Sequence, residues 1–187
     1  MSLRTIMIFP EFENTLQIDR IRDLYDPLAG LVRPHITLVF PFDLDMTDEE
    51  LADILDRRLS SVEPFDLEMQ GFTAIVEESE NYLNGTAFSG NYLFLNVTKG
   101  EDQICRIHDI LYENEFSVCA SGIPYMPHMT VGKLPDPEAL NKAYDDVKDI
   151  RTVFSRRVDT VSVERIGEHD ESIIIIRKKL GFPDQTV

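Results

Sequence analysis

The sequence predicts an α+β fold in which two copies of a strand–helix–strand–helix–strand unit form one bilobal domain around a central cleft. Three observations carry this. The first is length: 187 residues suit a single domain with a substantial core. The second is an element order that appears once over residues 4–77 and again over 91–178. The third is a short phrase that occurs in the same slot of both halves: Pro34-His35-Ile36-Thr37-Leu38 and Pro127-His128-Met129-Thr130-Val131. Two of the four histidines of the chain fall in this phrase, 93 positions apart.

The elements follow in order. Thr5 to Phe9 is a short β-branched and apolar run that ends at Pro10, as a buried strand does. From Thr15 to Tyr25, Leu16, Ile18, Ile21, Leu24 and Tyr25 recur at helical spacing, and Pro27 and Gly30 end the helix. The first His phrase continues as a strand to Pro41. Thr47 with Glu50 three residues on is a capping-box pattern, and Leu51, Ile54, Leu55 and Leu59 form the stripe of the helix it opens. Phe65–Gln70 and Phe72–Glu77 read as strand, "ESENYLNG" (78–85) as a polar turn, and Tyr82–Phe88 with Tyr92–Val97 as a strand pair around "SGN". A helix with a wide apolar face spans Glu101 to Glu115. The second His phrase is a strand. Asp136 and Pro137 are cap and first-turn residues of a helix that runs to about Lys148. Phe154–Ile166 reads as one strand, "GEHDES" as a turn and Ser172–Lys178 as the last strand.

Composition excludes several classes of function. With 34 acidic against 18 basic residues the net charge is −16, which repels long nucleic acid and anionic membrane surfaces. A nucleotide or an RNA end in a local pocket remains compatible. Cys105 and Cys119 show neither metal-ligand spacing nor a disulfide framework, which fits a reducing cytoplasm. The N-terminus lacks a secretory apolar run, and the longest aliphatic run, Ile173–Ile176, is far too short to span a bilayer. The two N-x-T sequons are therefore coincidental. The expectation is a cytoplasmic monomer.

Strand alternation assigns His35, Thr37 and Val39 to one face, opposite Ile36, Leu38 and Phe40. It assigns His128, Thr130 and Gly132 to one face, opposite Met129, Val131 and Lys133. Each phrase thus presents an imidazole beside a hydroxyl, with Cα atoms roughly 6.5–7 Å apart. Two such pairs across a cleft suit phosphodiester chemistry. One His activates the attacking oxygen, the other protonates the leaving oxygen, and the Thr hydroxyls bind non-bridging oxygens. This scheme needs no metal and no cofactor.

With these residues in view, the two phrases resemble the paired H-x-[ST] signatures of the 2H phosphoesterase superfamily, in particular its bacterial 2′-5′ RNA ligase-like branch. Pro64–Phe72, "PFDLEMQGF", is also similar to the pattern of that family, and the resemblance covers most of the chain. It implies a bilobal α+β fold, with action on 2′,3′-cyclic phosphates or 2′-5′ linkages. It also implies His35 and His128 as the acid–base pair and Thr37 and Thr130 as phosphate ligands. The implied partner is a nucleotide or RNA-end substrate with its phosphate in the cleft.

Two other readings stay open on the residues alone: a phosphate- or nucleotide-binding module without turnover, and a metal-dependent hydrolase that uses the same histidines. The remaining candidates have plainer explanations. His108-Asp109 lies in mid-helix without further ligands, His169 sits in a charged turn, and Asp43–Asp45 form a polar loop before a helix. Alternation turns Lys133 away from the His128 face. Tyr125 is a candidate for stacking on a base, with packing as its ordinary role.

Overall fold

The computed structural model describes residues 3–83, 86–120 and 124–181, with the side chains of 77–89 left aside. Eight strands and four α-helices run in the order β1 (Arg4–Ile8), α1 (Thr15–Tyr25), β2 (Ile36–Phe42), α2 (Asp48–Arg58), β3 (Phe65–Leu83), β4 (Thr86–Lys99), α3 (Glu101–Tyr112), β5 (His128–Leu134), α4 (Pro137–Val147), β6 (Phe154–Val158), β7 (Thr160–Ile166) and β8 (Ser172–Lys179), with a 3-10 turn at Ser117–Cys119.

Local chemistry sets the helix boundaries. Thr47 accepts from the Glu50 amide while the Glu50 carboxylate accepts from the Thr47 amide, so the predicted capping box is present. The Asp136 carboxylate accepts from the Ala139 amide, and Pro137 opens α4, where its missing N–H has no cost. The loop that contains Asp43–Asp45 is held by Arg4. Its guanidinium is buried and donates to the carbonyls of Leu44 (2.7 Å) and Met46 (2.8 Å).

The strands form two antiparallel sheets, ordered β2-β1-β7-β8 and β5-β4-β3-β6. In each sheet the His strand is at the edge, beside the first strand of its own repeat. The next strand comes from the other repeat: β7 lies beside β1, and β3 beside β4. The helices cross over as well. Helix α1 packs on β5 and α3 on β2, while β2 and β5 also touch. The repeats therefore interlock, and each His strand lies against a helix from the other half. One hydrophobic cluster spans both sheets and all four helices, including Ile18, Leu55, Ile107 and Leu140. Phe42 meets Phe116 edge-on at 5.0 Å in this core.

Four expectations change. The stretch 154–166 is two strands, not one. Asp159 separates them and sends the chain from one sheet to the other, with its carbonyl accepting from the Leu180 amide. The sign of this was in the sequence. Val158 and Val161 are both buried, yet their spacing of three cannot lie on one face of a continuous strand. Ser89-Gly90-Asn91 is not a turn but the interior of β4, with Gly90 opposite Glu77 and Asn91 opposite Val76. Glu78–Leu83 belongs to β3 rather than to a turn, and Asn84 and Gly85 of that stretch lie outside the described residues. Helix α3 ends at Tyr112, three residues before the predicted end. Both cysteines are free and half-buried.

Candidate active site

Each His phrase builds the same local device. His35 immediately precedes β2, and His128 opens β5. The Nδ1 of His35 lies 2.8 Å from the Arg33 carbonyl, and the Nδ1 of His128 lies 2.7 Å from the Met126 carbonyl. A carbonyl only accepts, so Nδ1 carries the proton, and Nε2 is left as the nitrogen that can take or give one. The proline of the phrase explains the repetition. It fixes φ and holds the preceding residue extended, which sets the i−2 carbonyl relative to the imidazole.

The threonines are followed by a second shared device. Thr37 pairs with Met7 and Val39 with Ile6, so Leu38 is an extra residue on β2. Thr130 pairs with Phe94 and Gly132 with Leu93, so Val131 is an extra residue on β5. Both strands thus carry a β-bulge one residue after the Thr, a feature that re-aims the side chains beyond it. Past the bulge, simple alternation fails. Val39 and Gly132 turn into the core, while Phe40 is half-buried and Lys133 is exposed. Lys133 pairs with Tyr92, and its ammonium lies 5.9 Å from the centre of that ring. Tyr92 stacks on Phe94, and Phe94 on His128 at 3.7 Å. Lys133 therefore stands on the His128 face, contrary to the sequence expectation. Gly132 faces away, under α1, where an added Cβ would come within 3.0 Å of the Tyr25 Cβ. The signal in the sequence was the pair of small or apolar residues after each Thr, Leu38-Val39 and Val131-Gly132, which breaks a period of two.

The outer edge of β2 is also closed by residues from the other half. The Tyr125 hydroxyl donates to the Thr37 carbonyl at 2.7 Å, and the Phe40 amide donates to the Tyr112 hydroxyl at 3.3 Å. An edge strand needs such partners for its backbone groups. The Tyr125 ring stacks on His108 at 3.8 Å, with the planes 8° apart. In this arrangement Tyr125 is a positioning residue for Thr37 and its ring face is occupied. His108 packs between Tyr125 and Tyr112 and meets Asp109 at 3.0 Å.

Burial sets the electrostatics. Both histidines are partly exposed, but their dense surroundings desolvate the charged form. His35 is pushed down to about 4, first by burial and then by the Arg22 guanidinium and by His128. The Arg33 carbonyl and Asp26 act in the opposite sense. His128 is lowered mainly by burial, against the Met126 carbonyl. The His128 charge is felt at His35, and β2 touches β5, so the two His strands lie against one another. Arg22 is a buried cation that sequence reading did not single out. It pairs with Asp26 at 2.7 Å and donates to the Leu28 carbonyl. Among the described residues, no group of three or more His, Cys, Asp or Glu is placed to hold a metal ion. None of the described helices is long and apolar enough to cross a membrane.

Two antiparallel sheets with four helices are the architecture of a 2H phosphoesterase. A family model described as the 2′-5′ RNA ligase superfamily matches residues 9–170, and the chain belongs to that superfamily. Its relatives include a Geobacillus kaustophilus protein named as a candidate phosphoesterase. That protein is 27% identical over 156 residues, which cover 82% of each chain. A Bacillus pumilus protein named in the same way is 26% identical, over 82% of this chain and 80% of its own. Among solved structures, a Thermus thermophilus protein superposes with a TM-score of 0.59 at 17% identity, over 95% of this chain and 97% of its own. Escherichia coli LigT in complex with NADP+ superposes with a TM-score of 0.56 at 18% identity, over 96% and 97%. These structural likenesses establish the fold, and the family establishes the general class of phosphoesterase.

Proposed function

We propose that the protein is a phosphodiesterase that acts on 2′,3′-cyclic phosphate or 2′-5′-linked nucleotide and RNA-end substrates by paired-histidine acid–base catalysis. The reverse reaction is ligation of an RNA end. The carrying observation is the matched pair of Nδ1–carbonyl bonds, which leaves two Nε2 atoms free for proton transfer. Thr37 and Thr130 supply hydroxyl donors to the non-bridging oxygens, where charge develops in the transition state. Since the two histidines supply both base and acid, the scheme needs no metal ion, and activity should survive a chelator. Long nucleic acid is disfavoured by the net charge of −16.

One division of roles is favoured by the surroundings of His35. The charges of Arg22 and His128 add to burial in keeping His35 neutral, which suits a base that activates water or a hydroxyl. His128 is lowered as well, chiefly by burial, so its role as the acid that protonates the leaving oxygen requires the negative charge of the bound phosphate to stabilise its imidazolium. A substrate with a p-nitrophenolate leaving group needs no acid. On such a diester His128→Ala is expected to keep turnover while His35→Ala loses it, and on a nucleoside 2′,3′-cyclic phosphate both lose nearly all of it. Full activity of His35→Ala on the cyclic phosphate would refute the assignment. Binding of cyclic nucleotides by the unmodified protein without turnover would favour a binding module.

A further inference from the structure

The chain is strongly acidic, yet one cavity beside His35 is basic. It has a volume of about 320 Å³ and is lined by five cations, Arg33, Arg156, Arg157, Arg177 and Lys179, against two carboxylates, Glu11 and Asp159. Arg33 pairs with Glu11, Lys179 with Asp159 and Arg157 with Asp66. The side chains of Arg156 and Arg177 form no ion pair and no hydrogen bond among the described residues, although Asp159 feels the Arg156 charge at longer range. They come from different sheets, β6 and β8, and meet because the chain passes from β6 to β7 at Asp159. Two guanidiniums that face one cavity without a direct counter-ion repel each other, and an anion between them removes that repulsion.

The cavity adjoins the first His phrase. Phe9 lines it and meets the His35 ring at 6.0 Å, and the Arg33 guanidinium lies 4.6 Å from the centre of the Phe9 ring. One cross-strand row joins the two places: Thr37 pairs with Met7, Met7 with Ser162, and Ser162 with Arg177. Cross-strand partners share a face, so the row runs from the hydroxyl of the first His phrase to the cavity. Three strand spacings separate Thr37 from Arg177, about 14 Å between Cα atoms. The long arginine side chain shortens the gap between two bound phosphates to less than this.

We propose that this cavity is a second anion subsite, which takes a phosphate group of the substrate other than the one held between His35 and His128. The preferred substrates then carry two phosphates, such as a nucleoside 2′,3′-cyclic phosphate that also bears a 5′-phosphate. The identity of the first phosphate rests on the function proposed above, while the charge of the cavity does not.

Two measurements test this. In the first, inorganic pyrophosphate is titrated into H35A/H128A, with and without R156Q/R177Q, by calorimetry. The arginine substitutions are expected to weaken binding about tenfold or more. R106Q/R151Q, the same charge change elsewhere on the surface, should have a much smaller effect. Equal binding with and without R156Q/R177Q, or equal weakening by the control, overturns the proposal. In the second, kcat/KM is compared for nucleoside 2′,3′-cyclic phosphates with and without a 5′-phosphate. The ratio should favour the 5′-phosphate by about tenfold and collapse in R156Q/R177Q. An unchanged ratio overturns the subsite. Absence of turnover on both nucleotides sinks the phosphodiesterase reading, and the pyrophosphate titration then decides the subsite alone.

Discussion

Tyr125→Phe removes a single oxygen and isolates the link between the two halves. The hydroxyl donates to the Thr37 carbonyl at 2.7 Å, on the edge of β2 where no strand partner is available. The ring remains, so its stacking on His108 is kept. Loss of one neutral hydrogen bond costs about 0.5–1.5 kcal/mol, and an unsatisfied backbone carbonyl adds to this where water cannot replace the donor. The site is half-buried, so the expected total is about 1–2 kcal/mol. For a chain of this length that lowers Tm by roughly 3–6 °C. Because the bond holds the strand that carries Thr37, kcat should fall several-fold while KM changes less. Urea unfolding and steady-state kinetics on a cyclic phosphate measure the two effects. An unchanged midpoint together with unchanged kcat would refute the view that Tyr125 fixes the first His strand.

Three further outcomes are expected. In NMR titration of the unliganded protein, the His35 imidazole should protonate near pH 4. Its folded value lies below the unfolded value of about 6.5, so the unfolded chain binds that proton first, and stability falls as pH drops from about 6.5 towards 4. A His35 titration at or above 6.5 would contradict the burial effect. Thr37→Val and Thr130→Val should each lower kcat on a cyclic phosphate by about 10²-fold, the usual scale for removing one transition-state donor, with little loss of stability. Gly132→Ala should destabilise by about 1–3 kcal/mol in urea, because the new methyl meets the Cβ of Tyr25 and of Leu93 and α1 must move off β5. A neutral result would mean that α1 is not seated on Gly132.

Much of the fold was legible because its signals are local. Helix α1 matches its predicted span, and the caps of α2 and α4 are where Thr47, Asp136 and Pro137 place them. The candidate site was legible for a different reason. A duplicated Pro-His-x-Thr phrase is improbable in ordinary strands, and in the structure both copies repeat the same Nδ1–carbonyl contact and the same bulge after the Thr. Lys133 was placed on the wrong face because alternation assumes an unbroken ladder. The bulges at Leu38 and Val131 are properties of strand pairing, with only the buried residue pairs Leu38-Val39 and Val131-Gly132 to announce them.

The sequence by itself determined the repeat, the positions of the two histidines and two threonines, and the helix boundaries other than the end of α3. All of these depend on residues within a few positions of one another. Only the tertiary structure decided that the repeats interlock, that α3 and Tyr125 from one half secure the His strand of the other, and that Arg156 and Arg177 meet in one cavity. Those contacts join residues from tens of positions to more than a hundred apart. They arise from burying each sheet against helices of the opposite repeat, and no local pattern records which distant surface will do the covering.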